Sequence, residues 1–249
     1  MKRKGLLSLA VVAAMVLALE VACRTGLVAA SVIIPPSEIV LSLGHLLAQG
    51  EFNGAIALTL TNVVIATVLS VVGGFMLGVL IHASSFLRAG LEPYLASYYA
   101  VPTFIFYPVF IILFGVGSAA IIAIAVMLSI VAMITATLNG LDRISKVLSK
   151  TARMMRMPAW QNAVLIQLPA AAPHLFTGVR LSIAYSFIGV IASEFILSGD
   201  GIGYAISYAY NNFENRTMYG LMLLIILVVS VVNIVLDVLD RRFQSRMER

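Results

Sequence analysis

The chain has 249 residues and a net charge of +5, with 61% hydrophobic residues, 11% charged residues and a mean hydropathy of +1.03. Because a water-soluble domain usually carries about 25% charged residues, this composition excludes a surface that faces water on all sides. The single cysteine, Cys23, excludes an intramolecular disulfide and a cluster of cysteine ligands around a metal. The positive charge does not indicate nucleic-acid binding, because the charged residues are confined to short segments between long apolar runs.

Six apolar runs are long enough to cross a bilayer as α-helices, in which the backbone satisfies its own hydrogen bonds. They cover residues 6–28, 55–81, 94–113, 118–138, 176–197 and 218–238. The runs predict an all-α integral membrane protein with six transmembrane helices, forming a single transmembrane domain over residues 1–249. The third run contains Pro102 and Pro108, and each proline removes a helical hydrogen bond, so we expect a kinked or broken helix there.

The first run follows the basic start Lys2-Arg3-Lys4, so its pattern also resembles a cleavable signal peptide. Glu20 stands where a lipoprotein cleavage site before Cys23 needs an aliphatic residue. Because apolar spans continue to the far end of the chain, we interpret this run as a retained first span.

The distribution of basic residues predicts the orientation of the spans. With the N-terminus inside, all of the 16 lysines and arginines except Arg24 and Arg216 fall on the cytoplasmic side. Cytoplasmic loops are enriched in these residues, so the pattern places both termini in the cytoplasm.

Two loops have helical patterns of their own. In the outer loop 29–54, Ser37 is predicted to cap a short helix over residues 38–48. In the inner loop 139–175, the pattern predicts a helix over residues 142–157 and a second one from Ala159 that ends at Pro169.

Motifs for catalysis and metal binding are missing from the sequence. It has no phosphate-binding Walker A loop, no His-Glu-x-x-His or paired-cysteine metal site and no Gly-x-Ser-x-Gly nucleophile motif. His45, His82 and His174 lie far apart near the predicted membrane edges, where interfacial histidines are common. We therefore expect no catalytic residue, no metal and no cofactor in this chain.

The loop 139–175 carries a spaced motif, Lys150-Thr151-Ala152, then Arg156, then Ile166-Gln167-Leu168-Pro169. At these spacings it resembles the Glu-Ala-Ala, Gly, Ile-x-Leu-Pro motif in permeases of binding-protein-dependent ABC importers. Further segments resemble the nitrate, sulfonate and taurine branch of that family: residues 34–38, 114–117, 192–194 and 201–204.

This resemblance implies a type I importer permease in the bacterial inner membrane. Two permease chains, identical or similar, would form the pathway for a small organic or anionic solute that a periplasmic binding protein delivers. A pair of ATPase subunits, which carry the ATP and magnesium, would dock on the loop motif. A self-sufficient secondary carrier and a non-transporting membrane scaffold are the alternatives.

The motif departs from the family pattern at two positions. Lys150 stands in place of the glutamate, and Arg156 stands in place of the glycine, a residue that enters left-handed conformations freely. One hypothesis is that the partner ATPase carries a compensating acidic group; the other is that this surface tolerates substitution.

Several residues in or beside the spans are candidates for the pathway or for contacts between subunits. Glu194 is the strongest, because a carboxylate inside a span usually faces a cavity, a partner or a pathway. Since it lies near the outer end of the fifth run, solvation at the membrane interface is the alternative. The other candidates are Asn62, Phe106, Tyr107 and Tyr185, and relatives often carry arginine at the last position. Gly74 and Gly78 have the Gly-x-x-x-Gly spacing that predicts close helix packing.

Overall fold

The fold is built from helices, and the computed structural model describes residues 2–29 and 32–247. The helices are α1 Lys2–Arg24, α2 Pro36–Gln49, α3 Asn53–Ala83, α4 Ser85–Ser97, α5 Tyr107–Phe114, α6 Ser118–Asp142, α7 Lys146–Met154, α8 Ala159–Asn162, α9 Leu168–Leu197, α10 Ile202–Asn211 and α11 Asn215–Met247. Two 3-10 turns, Tyr98–Ala100 and Thr103–Phe106, join α4 to α5, and a π-helical turn, Ala163–Gln167, joins α8 to α9. The described residues contain no strand, and the predicted all-α class is confirmed.

Within the described residues, four helices are long and apolar enough to cross a membrane: Asn53–Ala83, Ser118–Asp142, Ala159–Leu197 and Asn215–Asp240. They cover the predicted runs 55–81, 118–138, 176–197 and 218–238. The first predicted run, 6–28, coincides with α1 only as far as Arg24, after which the chain turns. The total of six spans therefore stays a prediction.

The third predicted run, 94–113, is a broken helix. Ser85–Ala100 and Thr103–Phe114 meet at 97°, and together they can form a fifth span. Val101, the residue before Pro102, is extended with φ −91° and ψ 120°, because the proline ring disfavours the helical conformation of its predecessor. Pro108 lies in the first turn of α5, where a missing N–H costs nothing, so it begins a helix rather than breaking one.

The central core consists of α3, α6 and α9, which pack closely along most of their lengths. A Cβ added to Gly74 would lie 2.7 Å from Met133 Cβ, and one added to Gly78 would lie 2.6 Å from Thr137 Cβ. Where α9 meets α6, a Cβ added to Gly189 would lie 2.6 Å from Ala125 Cα. Only glycine permits these approaches, so the packing predicted for Gly74 and Gly78 is confirmed.

A second layer is formed by α2, α10 and α11. Its buried core includes Leu43 of α2, Ile206 of α10 and Leu221 of α11. Gly220 lets α11 approach α2, since an added Cβ would lie 2.7 Å from a methyl carbon of Leu46. Residues of α11, among them Val228 and Val232, also pack against the central core, so this layer lies beside it.

The predicted cap of the outer helix is wrong. α2 begins at Pro36, whose fixed φ suits the first helical position, and the residue before it makes no side-chain cap. Ser37 instead donates from its backbone N–H to Glu20 Oε2 at 3.0 Å and from its hydroxyl to Glu20 Oε1 at 2.7 Å. The carboxylate at the end of α1 therefore satisfies donors at the start of α2.

The predicted helices of the loop 139–175 also need correction. α6 continues to Asp142, and α7 begins only at Lys146, where Ser145 Oγ accepts from Val147 N at 3.2 Å. Pro169 does not end the second helix, because the backbone continues through the π-helical turn into α9. Leu168 N donates to Ala163 O, five residues back, and the proline lies within the first turn of α9, where its missing N–H is tolerated.

Candidate functional site

The helix α7 presents the first part of the spaced motif on an open surface. Ala152 is 2% exposed and is the point at which α7 is buried, whereas Lys150 and Thr151 are exposed. Val147, Lys150 and Met154 recur at intervals of three and four residues, so they share one face of the helix. This face is directed away from the buried side and is free to meet another molecule.

The turn after α7 is a Schellman motif centred on Arg156. Arg156 N donates to Arg153 O at 3.0 Å, and Met157 N donates to Ala152 O at 3.1 Å. Arg156 has φ 50°, in the left-handed region that costs a non-glycine residue about 1 kcal/mol. The motif of ABC importer permeases has a glycine at this position. The backbone here adopts the conformation that favours glycine, although an arginine occupies it.

The second part of the motif lies behind α7. Ile166 belongs to the π-helical turn, Leu168 begins α9, and Pro169 is exposed in its first turn. The π-helical turn lies against α7, so the fold brings the two halves of the motif into one region. The role of this region in ATPase coupling stays a prediction at this point.

Glu194 is fully buried inside the chain, with 0% exposure. Its Oε2 accepts from Thr59 Oγ1 at 2.7 Å and from Gly203 N at 3.1 Å, and its Oε1 accepts from Asn62 Nδ2 at 3.4 Å. Thr59 Oγ1 also accepts from Ile202 N at 2.9 Å. The carboxyl group therefore joins α3, α9 and the first turn of α10 in one network, which we call the Glu194 network.

Two glycines leave the space that the Glu194 side chain fills. Gly201 has φ 100°, and a Cβ added there would come within 2.4 Å of Glu194 Cδ. A Cβ on Gly203 would lie 2.4 Å from the carbonyl oxygen of Ile191. The segment 201–204, which the sequence marks as family-like, is thus the segment that folds over the carboxyl group.

The other candidate residues lie apart from the Glu194 network, except for Asn62. Tyr185 stacks on Tyr99 with ring centroids 5.1 Å apart, and Tyr99 belongs to the 3-10 turn at the break of the third predicted span. Phe106 and Tyr107 follow the break and are 37% and 40% exposed. The structure therefore places the candidates in two groups, one buried and polar, the other aromatic and close to the broken helix.

Some pairings in the structure were missed by the sequence analysis. Arg88 donates to both carboxylate oxygens of Asp142, at 2.7 and 2.5 Å, and His82 Nδ1 lies 3.3 Å from Asp142 Oδ1. Arg180 of α9 pairs with Asp237 of α11 at 2.5 Å. The sequence shows only that these charged residues are present, and their partners depend on how the helices pack.

A polar contact in the middle of the central core was also missed. The hydroxyls of Ser70 and Ser129 lie 2.5 Å apart, and Ser182 Oγ donates to Ser129 O at 3.3 Å. Hydroxyls of this kind link neighbouring helices in a bilayer. Over the described ranges, the His, Cys, Asp and Glu side chains form no group of three that could hold a metal ion.

The fold and the loop motif define a multi-pass membrane protein of the permease class. Residues 70–249 match the family model described as "Binding-protein-dependent transport system inner membrane component", and the chain belongs to this family. The predicted family is confirmed. It follows that the chain is a transmembrane permease subunit of an ABC transporter.

Curated relatives agree with this assignment. The chain is 26% identical over 239 residues to the putative aliphatic sulfonates transport permease protein SsuC of Bacillus subtilis, covering 96% of this chain and 86% of the relative. It is 29% identical to the nitrate import permease protein NrtB of Leptolyngbya laminosa, covering 67% of this chain and 60% of the relative. It is also 29% identical to the bicarbonate transport system permease protein CmpB of Synechococcus elongatus, covering 66% of this chain and 59% of the relative. The last two matches thus span less than two thirds of the relatives' lengths.

A solved structure supports the fold. A chain of the MetNI methionine ABC transporter in an inward-facing conformation aligns with a TM-score of 0.68 and 17% identity, covering 77% of this chain and 95% of that chain. At this identity the likeness defines the architecture, which is that of a type I ABC importer permease.

Proposed function

We propose that this permease subunit imports a small organic or anionic solute, and that separate ATPase subunits power it. The observation that carries the proposal is the loop motif on an exposed helix, α7, that follows directly on the central core helix α6. A helix so placed can pass movement of an attached subunit to α6 and, through the π-helical turn, to α9. The sequence contains no phosphate-binding loop of its own, so ATP and magnesium belong to the partner chains.

The assembly that we propose has two permease chains, identical or similar, above two ATPase subunits, with a periplasmic protein that delivers the solute. The chain lies in the inner membrane, and both termini and the loop 139–175 are cytoplasmic. The distribution of basic residues supports this orientation, since only Arg24 and Arg216 fall on the outer side.

The solute class is supported by the relatives, whose names give aliphatic sulfonates, nitrate and bicarbonate. These are small anions. The sequence between Arg88 and Arg143, which includes most of the broken helix and all of α6, contains no lysine or arginine. Since this stretch offers no fixed cation, we propose that any anionic solute is held there by dipoles and aromatic edges rather than by an ion pair.

The experiment is co-purification of the tagged chain with the proteins encoded beside it, followed by an ATPase assay in lipid nanodiscs. We expect an ATPase subunit to co-purify and its activity to rise when a binding protein is added with its solute. Transport by this chain alone in vesicles, driven by an ion gradient, would instead identify a secondary carrier. Assembly with an ATPase that never responds to any solute would identify a scaffold.

A further inference from the structure

A cavity of about 530 Å³ opens between the end of α3, the end of α6 and the start of α9. Its wall on the α9 side begins in the π-helical turn and continues through the first two turns of the helix. We propose that this cavity, which we call the α3–α9 cavity, holds an acyl chain of a phospholipid from the adjacent leaflet of the bilayer. The inference goes beyond the proposed function and does not depend on the solute.

The lining of the α3–α9 cavity is apolar except for two side chains, His82 and Gln167. Glu194 of α9 contacts Thr59 near the start of α3, so the two helices run in opposite directions. Phe75 of α3 and Leu175 of α9 therefore mark one end of the cavity. His82 and Gln167 lie toward the other end, so the cavity fits a molecule with an apolar body and a polar end.

The position and depth of the cavity match one leaflet of a bilayer. Its walls belong to two of the helices that can cross a membrane, Asn53–Ala83 and Ala159–Leu197, and His82 is next to the end of the first. Phe75 and His82 are seven residues apart, which is about 10 Å along an α-helix. One leaflet contributes about 15 Å of the hydrocarbon core, so a chain that enters at the membrane edge can reach the apolar end.

The cavity continues a groove that the protein fills elsewhere. Nearer the other end of α3 and α9, Val228 and Val232 of α11 pack against the buried cluster that includes Val63 and Val190. No residue of α11 lines the α3–α9 cavity. An empty groove would lose the dispersion contacts that α11 makes at the first level, and at membrane depth a lipid chain can restore them.

The rim of the cavity is open on the side from which a lipid would enter. Val79 is 40% exposed, Val164 is 53% exposed and Leu168 is 43% exposed, although all three also line the cavity. Apolar side chains at this depth meet hydrocarbon rather than water. An acyl chain that passes between Val79 and Val164 would contact both walls.

The polar end of the cavity suits the glycerol and phosphate region of a lipid. The Gln167 side chain carries two N–H donors, and the ester and phosphate oxygens of a phospholipid are acceptors. His82 Nδ1 lies 3.3 Å from Asp142 Oδ1, and Arg88 binds the same carboxylate. Charged and polar groups thus begin where the apolar lining ends, as they do at the edge of a bilayer.

The first test uses the wild-type, full-length permease, freed of lipid in detergent. It receives one equivalent of a phospholipid that carries a photoreactive diazirine on its acyl chain, and the labelled peptides are mapped by mass spectrometry. We expect the label to concentrate on residues 75–83 and 163–175. Labelling spread evenly over the exposed faces of the long helices would overturn the inference.

The second test fills the cavity from either wall. Val79→Trp and Val164→Trp place a large side chain in it, and native mass spectrometry counts the phospholipids that remain bound. The matched controls are Leu80→Trp and Leu165→Trp, at neighbouring positions that are 55% and 62% exposed and do not line the cavity. Size-exclusion chromatography checks that each variant remains folded.

We expect retained phospholipid to fall about fivefold in Val79→Trp and Val164→Trp and to match wild type in both controls. Equal retention in all four variants would overturn the inference. A smaller organic molecule retained by wild type in place of phospholipid would also overturn it. If the filling variants separate two copies of the chain while lipid retention is unchanged, the cavity is an interface between copies, and the lipid assignment is wrong.

Discussion

Glu194 illustrates how a carboxyl group is accommodated deep inside a membrane protein. No cation among the described residues forms an ion pair with it; instead a hydroxyl, an amide and a backbone N–H each donate a hydrogen bond to it. Burial of an unpaired charge is costly, so the group is tolerated only because the fold directs these donors at it. The donors belong to α3 and to the start of α10, so satisfying the carboxyl group also fixes α10 against the core.

Glu194→Ala is expected to destabilise the protein by about 1–3 kcal/mol, because it leaves buried donors of Thr59, Asn62 and Gly203 without an acceptor. Glu194→Gln is the matched variant and should lose less. Its amide oxygen can still accept from Thr59 and Gly203, while the Asn62 amide can rotate to accept from the new NH2 group. Thermal unfolding in detergent, followed by size-exclusion chromatography, measures the difference. If glutamine and alanine are equally harmful, hydrogen bonding is not the reason for the glutamate.

The glycine that folds over this carboxyl group gives a second prediction at the scale of single residues. Gly201→Ala should lower the melting temperature, because the new methyl group would collide with Glu194 and the residue would keep a positive φ. Gly199→Ala, two residues earlier, is the control, since a Cβ there meets nothing within 4 Å. Equal melting temperatures for the two variants would contradict the described packing.

The end of α7 shows how one helix terminus depends on a single backbone conformation. The Schellman motif satisfies carbonyl groups at the end of the helix only if Arg156 remains left-handed. The element therefore combines a small loss of local stability with a cation held in a defined position.

Arg156→Gly is expected to stabilise the end of α7 by about 1 kcal/mol, because glycine adopts the left-handed region without the Cβ penalty. Hydrogen exchange should show about fivefold slower exchange of the amides of Arg156 and Met157 if their opening is local. The control is Arg156→Gln, which removes the charge but keeps the Cβ, and it should leave exchange unchanged. Faster exchange in the glycine variant would show that the side chain, not the backbone, stabilises the turn.

In the whole molecule, short helices connect the long apolar helices on opposite sides of the proposed membrane. α7 and α8 lie between α6 and α9, whereas α10 lies between α9 and α11. Because α9 spans the distance between these connections, they must emerge on opposite sides if α9 crosses the bilayer. This separation places α7 and the Glu194 network at different ends of the same helix, α9.

The proposed orientation predicts opposite labelling of two exposed positions. After Cys23→Ser, the variant Phe213→Cys should react with a membrane-impermeant thiol reagent added to intact spheroplasts. The variant Met154→Cys, expressed without the ATPase subunit that would cover α7, should react only after the membrane is opened. Both side chains are 86% exposed, so accessibility within the chain is matched. Labelling of both positions in intact spheroplasts would contradict the orientation.

The sequence by itself determined the membrane class, the positions of the long helices and the break beside Pro102. These depend on local properties, namely apolar length and the stereochemistry of proline. The loop motif was also visible, because it depends on spacing along one segment. The predicted helix end at Pro169 was wrong. The sequence of this segment does not reveal the π-helical turn, through which the backbone continues into α9.

Only the tertiary structure decided which residues meet. Thr59 and Glu194 are 135 positions apart in the sequence, and their contact requires α3, α9 and α10 to approach through glycines at particular rotations. The stacking of Tyr185 on Tyr99 and the pairing of Arg88 with Asp142 arise in the same way. A pattern in one sequence specifies which face of a helix is apolar or polar. It does not specify the rotation and depth at which two such faces pack, and these set every contact between distant residues.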